Sequence, residues 1–418
     1  MKRFRILTGG ILVAGILLVL GFFIWQSDPA LKSVLAWRMD EASAFVRGGL
    51  SPRGGIPPME AAEPRGSQGG LFQPGGVNAD AGSKVSPGTS FTDAPPLPQQ
   101  VVLTPPEFDL KRDFQDWNNC GPATLALALR MYGWKGDQYD IARVIKPLQT
   151  DKNVSPEEMA DFVELTGLGL SSVVRVNGDA RTLQQLLAAG LPVIVEQSFK
   201  LEKGFWPGDD LWSAHYLLIT GYDLTKQEWI TQDSYYGPNQ RISMDLMEQT
   251  WKPFNRLLMV VHTRGQEKIL QSILGDDWQV ETNFLNAAVR STREVQSNPK
   301  DAFAWFNLGN SLLGLGDDAG AAEAYARARQ MGLPQRMLRY EFGPLEAAFK
   351  TGNVDDLFLL ANYALNRTPD SEEALTWKGW AFVLSRQSDH ARKSFELALE
   401  AHPDYPPALD GLATLQKP

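Results

Sequence analysis

The chain has a single cysteine, Cys120, among its 418 residues, and only four histidines. One cysteine excludes an internal disulfide framework, so any thiol chemistry must be carried out by Cys120. Aspartate and glutamate outnumber lysine and arginine by 49 to 40, giving a net charge of −9. This balance argues against nucleic acid as a partner, because phosphate binding requires concentrated positive charge. Residues 151–153 offer oxygen donors without the run of ligands that calcium needs. We expect no metal and no cofactor.

The N-terminus carries the longest apolar run. Residues 6–25 contain no charge and follow the basic sequence MKRFR. About 20 apolar residues suffice to span a bilayer, and the preceding positive charges favour a cytoplasmic N-terminus. The alternative, a cleaved signal peptide, usually has a shorter apolar region followed by a small-residue cleavage site, which is missing here. We therefore predict that residues 1–26 form a single-pass anchor and that the bulk of the chain is extracytoplasmic.

Residues 27–100 follow as a stalk. A short amphipathic stretch at residues 31–45 gives way to a sequence rich in Gly, Pro, Ser and Ala. Such a composition buries too little apolar surface to fold, which predicts a disordered tether.

Cys120 lies in the sequence FQDWNNCGPATLALALRMYGW, where a loop becomes a helix. Asn118, Asn119 and Gly121 favour a turn, and Pro122 suits a first helical turn because proline has no N–H to leave unpaired. A thiol at a helix N-terminus has a lowered pKa, because the peptide dipoles stabilise the thiolate. The setting is that of a cysteine nucleophile, although a lone cysteine can equally be a small buried hydrophobe.

The sequence pattern of residues 101–264 predicts one α+β domain, with helices first and an antiparallel sheet afterwards. Beyond the Cys120 helix, we predict helices near residues 138–144, from Pro156 onwards and at residues 180–189. Ser155 and Glu158 are placed to form a capping box. Strands are predicted at residues 173–176, 193–197, 216–222, 229–232 and 257–262.

A cysteine nucleophile needs a base, and His215 is the candidate because it begins the strand sequence HYLLITGYD. Asp233 lies on the next strand. If the two strands pair about position 224, His215 and Asp233 are directly opposite each other, within hydrogen-bonding reach. A slip of one residue would separate them. His215 could otherwise be a structural residue of the sheet, and Asp233 a turn residue before Ser234.

The backbone N–H of Cys120 and the side-chain amide of Gln115 are the nearest candidate donors for an oxyanion. Trp206, Trp212 and Tyr216 are candidates for a groove that binds an extended peptide, although aromatic residues are more common in cores.

The sequences QDWNNCGPA, HYLLITGYD, QDSYYGP and WKPFNR together resemble the C-39-type papain-like cysteine peptidases, and more closely the C-39-like subgroup of secreted and anchored bacterial proteins. The resemblance covers residues 104–264 and implies a papain-like fold and a peptidase activity. It also implies a Cys120 nucleophile, a His215 base, an orienting Asp233 and oxyanion support from Gln115. Gln115 lies five residues before the cysteine, where the better-studied papain-like enzymes have six.

The C-terminal part has a different pattern. Pro299, Pro334, Pro369 and Pro403 recur at spacings of 35, 35 and 34 residues. Together with paired helices, this period is typical of tetratricopeptide repeats. We predict repeats over residues 299–418, with a degenerate middle repeat, and connecting helices over residues 265–298. Such arrays bind peptides or partner proteins on a concave face, or the array packs only against the preceding domain.

Two classes of function follow. The first is a membrane-anchored cysteine peptidase whose repeats bind substrate or a partner protein. The second is a peptide-binding or scaffolding protein without catalysis. A thiol-dependent amidase or acyl transferase is a further alternative, since the residues do not separate hydrolysis from transfer.

Overall fold

The computed structural model describes residues 96–116, 118–148, 153–201 and 210–416, together with Met39 and Val46. The predicted anchor at residues 1–26 and nearly all of the predicted stalk lie outside these residues. In the part of the chain that the structure describes, no helix is both long and apolar enough to cross a membrane. The described chain forms an α+β part with one antiparallel sheet and then a helical part, as the sequence predicted.

The described α+β part has helices on both faces of its sheet. Its α-helices are α1 (Cys120–Arg130), α2 (Gln138–Ile145), α3 (Pro156–Leu165), α4 (Ala180–Ala188) and α5 (Met244–Trp251). Its strands are β1 (Gln100–Val102), β2 (Leu170–Arg175), β3 (Val193–Lys200), β4 (Trp212–Asp223), β5 (Glu228–Asp233), β6 (Gly237–Ser243) and β7 (Leu258–Thr263).

The strand order is β2-β7-β3-β4-β5-β6, with β1 also paired to β4, and every pair is antiparallel. All five predicted strands are present. Two strands were missed: β1 has three residues in a proline-rich segment, and β6 (GPNQRIS) is an edge strand without a buried apolar face. Alternation along β3 directs Ile194 into the core under α1 and Val193 into the core under α4.

Local capping fixes the start of α3 as the sequence predicted. The Ser155 hydroxyl accepts a hydrogen bond from the Glu158 N–H, and the Glu158 carboxylate accepts one from the Ser155 N–H. Pro156 is the first helical residue. The N–H groups of Ser155 and Glu158 both have side-chain acceptors within this four-residue segment. The start of this helix could therefore be predicted from the sequence alone.

The helical part follows β7. Its described α-helices are α6 (Glu267–Leu274), α7 (Val280–Ser297), α8 (Ala302–Gly314), α9 (Asp318–Gln330), α10 (Gly343–Lys350), α11 (Val354–Arg367), α12 (Glu372–Leu384), α13 (Ser388–Ala401) and α14 (Pro406–Thr414). In α8 and α9, Gly309 faces the ring of Tyr325, where an added Cβ would lie 2.7 Å from the ring. Gly379 of α12 faces Phe395 of α13 in the same way. Small residues therefore allow these helix pairs to pack closely.

The middle of the helical part departs from this pattern. The first helix of the middle pair, α10, has only eight residues and follows a 3₁₀ turn at Gln335–Arg339. The corresponding helices of the flanking pairs, α8 and α12, each have 13 residues. This irregular segment lies where the sequence analysis placed the middle unit.

Buried polar contacts join the helical part to the α+β part at the sequence WKPFNR. The Asn255 N–H donates to Asn307, and its side-chain amide donates to Ser311. The Arg256 guanidinium, almost fully buried, pairs with Glu294 at 2.7 Å. Removing one partner of such a buried network leaves an unsatisfied polar group, so these contacts hold the two parts in one arrangement.

Candidate active site

Cys120 is the first residue of α1, and its side chain is half-buried. The residues that follow it in α1 are buried, which anchors the helix against the sheet. Asn118, two residues earlier, has a φ of 50°, a left-handed conformation that asparagine tolerates better than most residues. The Cys120 N–H is among the first four of its helix, which have no acceptor within the helix.

Gln138 holds the loop that leads into Cys120. Its side chain is fully buried. Its Oε1 accepts hydrogen bonds from the Asp116 N–H and the Asn119 amide, at 2.8 and 3.1 Å. Its Nε2 donates to the carbonyls of Arg112 and Phe114, each at 2.7 Å. Sequence reasoning missed this residue, because a glutamine in the first turn of an amphipathic helix ordinarily faces solvent.

His215 and Asp233 are in contact, as expected, but in a different register. The Nε2 of His215 lies 3.0 Å from the Oδ1 of Asp233, and both side chains are buried. The ladder pairs Leu218 with Gln232 after a bulge between Ile219 and Gly221. Continued by one residue, this register places Asp233 opposite Leu217, two residues from the predicted position. Because side chains alternate between the two faces of a sheet, a shift of two residues leaves His215 and Asp233 on the same face. They are then diagonal neighbours and not directly opposite each other.

Asp233 makes a turn contact as well as its contact with His215. Its Oδ1 also accepts hydrogen bonds from the Tyr235 and Tyr236 N–H groups, at 2.6 and 3.1 Å. Burial by itself raises the pKa of Asp233, but the hydrogen bond and charge of His215 and these two N–H groups bring it below its ordinary value. The carboxylate is thereby kept ionised beside the imidazole.

The electrostatics favour a thiolate–imidazolium pair. Burial opposes ionisation of the Cys120 thiol, yet a hydrogen bond from His215, its positive charge and the Tyr216 N–H lower the pKa of Cys120 overall. Burial likewise opposes the His215 cation, but its hydrogen bonds to Asp233 and Cys120 raise the pKa of His215 to about 9. Because Nε2 of His215 contacts Asp233, Nδ1 is the nitrogen left for the thiol.

Gln115 lies beside the same cavity as Cys120. The Ser234 hydroxyl donates to its Oε1 at 3.0 Å, and the Gln115 N–H donates to the Ser234 carbonyl at 2.7 Å. With Oε1 engaged, the Nε2 end of the amide is left to donate. Ser234, directly after Asp233, is thus a positioning residue that the sequence analysis did not identify.

Two predicted groove residues have different positions. Tyr216 lines the cavity, and its hydroxyl donates to the Val154 carbonyl at 2.9 Å. Trp212 does not line the cavity: its ring stacks on Phe254 and also contacts Tyr340, at centroid distances of 5.5 and 6.1 Å. The helical part packs against this ring, and the groove role of Trp212 stays a prediction. Trp206 lies outside the described residues.

The cavity at Cys120 has a volume of about 1030 Å³ and walls from both parts of the chain. Cys120, His215 and Tyr216 lie on the α+β side, while Tyr340, Phe342, Trp377 and Tyr405 come from the helical part. A volume of this size accommodates several peptide residues. The irregular segment around the 3₁₀ turn thus reaches the cavity, as do α12 and the residues where α14 begins.

Glu196 is a buried carboxyl in the cavity wall that sequence reasoning missed. It lies on β3 directly opposite Tyr216. Burial, the charge of Glu341 and the charge of Cys120 raise its pKa well above the ordinary value. A neutral Glu196 avoids repulsion of the neighbouring thiolate.

Among the described residues, one group of side chains has ligand atoms close enough to hold a metal ion: Glu158, Glu372 and His402. This group lies where α3 meets the helical part, and Cys120 and His215 do not belong to it. A thiol beside an imidazole, as at Cys120 and His215, can support nucleophilic attack.

Comparisons with known proteins agree with this geometry for part of the chain. No curated protein matches the chain. Residues 91–259, which contain Cys120, His215 and Asp233, match the model of the Peptidase_C39 like family, so this stretch is similar to domains of the cysteine-peptidase type.

Proposed function

We propose that this protein is a cysteine peptidase in which Cys120, His215 and Asp233 act as a catalytic triad. The observation that carries the proposal is the buried 3.0 Å contact between His215 and Asp233, beside a thiol whose pKa His215 lowers. A thiol packed only for its volume would need neither partner. The family match over residues 91–259 supports the same class of activity.

In this mechanism the Cys120 thiolate attacks the scissile carbonyl carbon. The His215 imidazolium then donates its proton to the leaving amine, and an acyl-enzyme remains on the sulfur. A water molecule gives its proton to His215 as its oxygen attacks the thioester, which releases the carboxylic acid and restores the thiolate. Asp233 holds the ring orientation and stabilises the cation throughout.

The oxyanion of each tetrahedral intermediate needs donors. The Cys120 N–H at the start of α1 is one, and the Gln115 amide oriented by Ser234 is the other. Fixed donors of this kind act without reorganisation at the moment of reaction.

For the helical part we propose tetratricopeptide repeats that help bind the substrate. The proline period, the close helix pairs at Gly309 and Gly379, and the irregular middle unit support this assignment. Because Tyr340, Phe342 and Trp377 line the cavity, a bound peptide contacts both parts of the chain.

For the N-terminus we propose an uncleaved membrane anchor and an extracytoplasmic peptidase. The support is the charge-free apolar run at residues 6–25 behind a basic tip, followed by a stalk-like composition.

Isotope labelling can distinguish hydrolysis from acyl transfer and from binding alone. The purified chain is incubated with a defined peptide library in water enriched in ¹⁸O, and the products are identified by mass spectrometry. Hydrolysis yields new carboxyl termini that carry one ¹⁸O, and Cys120→Ser yields none. Products in which the acyl part of the substrate forms an amide with a second amine, without ¹⁸O, would indicate an acyl transferase. An absence of products, with intact substrate bound equally by wild type and Cys120→Ser, would indicate a binding protein.

A further inference from the structure

Glu158, Glu372 and His402 come together where the helical part meets α3. Glu158 lies in the first turn of α3, Glu372 begins α12, and His402 follows α13. One ligand atom from each lies within 4.8 Å of the others. The residues are 214 and 30 positions apart in sequence, so only the docking of the two parts assembles them.

Glu372 is the centre of this group. Its side chain is fully buried, and its Oε2 has no hydrogen-bond partner among the described residues. Its Oε1 lies 3.4 Å from Nδ1 of His402. A buried carboxylate oxygen without a partner is destabilising, so this oxygen requires a proton or a cation.

One more carboxyl group and one lysine lie near Glu372. Glu373 lies beside Glu372, and its carboxylate accepts hydrogen bonds from the Ser371 hydroxyl and the Asn153 amide. Lys146 contributes positive charge nearby, and its ammonium donates to the carbonyl of Asn118. Three carboxyl groups thus lie around one imidazole and one lysine, and their oxygens offer donors that a dication could hold together.

The donor set indicates which ion fits. Calcium and magnesium take six or more oxygen ligands, whereas an imidazole with carboxylates suits zinc. Ligand atoms around a tetrahedral zinc ion, at bond lengths near 2.0–2.1 Å, are about 3.4 Å apart. The Glu372–His402 pair already has this separation. One oxygen of Glu158 is engaged with the Ser155 N–H, which leaves the other for the ion.

We propose that Glu158, Glu372 and His402 bind one Zn²⁺ ion that fastens the helical part to α3 beside the cavity. His402 and Glu158 also line that cavity, so the ion would stabilise the wall that faces Cys120. The ring of His402 stacks on Tyr405 at a centroid distance of 5.4 Å, which fixes the orientation of the imidazole.

The test uses the full chain carrying Cys120→Ser, because a thiolate beside an imidazole also binds zinc. The chain has no other cysteine. Metal-free protein is titrated with ZnCl₂ by calorimetry, and its melting temperature is measured with ZnCl₂ and with EDTA. We expect one Zn²⁺ per chain and a higher melting temperature in zinc, since an ion that binds only the folded state stabilises it.

In that background, Glu372→Gln and His402→Gln should each weaken zinc binding by roughly tenfold or more, because even outer-shell substitutions have effects of that size. Glu396→Gln and His390→Gln are matched controls on the exposed face of α13, and both should bind zinc like the parent.

Two results would overturn the proposal. One is a titration with no saturable zinc site in the parent. The other is zinc binding by Glu372→Gln and His402→Gln as tight as in the controls. If protons alone neutralise the group, Glu372→Gln raises the melting temperature in EDTA and zinc has no effect on the parent.

Discussion

Replacing His215 by alanine should change how the reactivity of Cys120 depends on pH. In the native protein, His215 lowers the pKa of Cys120 below its ordinary value of 9.0 against the opposing effect of burial. Burial remains in His215→Ala, together with the weaker influences of the Tyr216 N–H and Lys146. The largest single effect then raises the pKa, so we expect the thiol of the variant to titrate at or above 9.0.

The magnitude follows from the fraction of thiolate. A thiol with a pKa of 9.0 is only about 1% ionised at pH 7, and its thiolate fraction increases about tenfold with each pH unit. Alkylation of His215→Ala should therefore accelerate roughly 100-fold between pH 6 and pH 8. The wild-type rate should change less over this interval, because its midpoint lies lower.

The assay is pseudo-first-order alkylation by iodoacetamide from pH 6 to pH 10, followed by mass spectrometry. Cys120 is the only cysteine, so a single modification reports a single site. His390→Ala, a change at an exposed histidine, is the control and should follow the wild-type profile. The reasoning is refuted if His215→Ala, folded by circular dichroism, has the wild-type midpoint.

The remaining predictions concern catalysis and packing. The peptidase rate should decline above about pH 9, because the pKa of His215 is raised to about 9 and the leaving amine needs its proton. Asp233→Asn should move this alkaline decline to lower pH and reduce kcat roughly 10²- to 10⁴-fold. A decline at the wild-type pH would contradict the role of Asp233. Gln115→Ala should reduce kcat roughly 10²-fold with little change in KM, and a change confined to KM would assign Gln115 to substrate binding instead. Gly309→Ala, whose Cβ would lie 2.7 Å from the Tyr325 ring, should lower the free energy of unfolding in urea by roughly 1–3 kcal/mol; an unchanged midpoint would show that the ring moves aside.

Much of the local structure was predictable because its causes lie within a few residues. The turn before α1, Pro122 in its first turn, the capping box at Ser155 and the small residue Gly309 each act over a short distance. The alternation of apolar residues gave five strands. Strands β1 and β6 were missed, because β1 has only three residues and β6 has no run of buried apolar residues.

The candidate site was predictable in part. Cys120, His215 and Asp233 were chosen from residue type and order, but the register between β4 and β5 was wrong by two residues. A bulge at Thr220 and the turn at Thr225 set that register, and neither has a distinctive sequence signal. Gln138 and Ser234 were missed, since a polar side chain shows its hydrogen-bond partners only when the chain is folded.

The sequence by itself determined that one thiol is available, that it begins a helix, and that a mixed domain precedes a helical region of period 34–35. The tertiary structure alone decided that Trp212 packs against the helical part, that Tyr340 and Trp377 line the cavity at Cys120, and that Glu158, Glu372 and His402 meet. The reason is physical. Helix starts and strand patterns depend on neighbours along the chain, whereas these contacts depend on how two separately patterned surfaces pack, which no local pattern encodes.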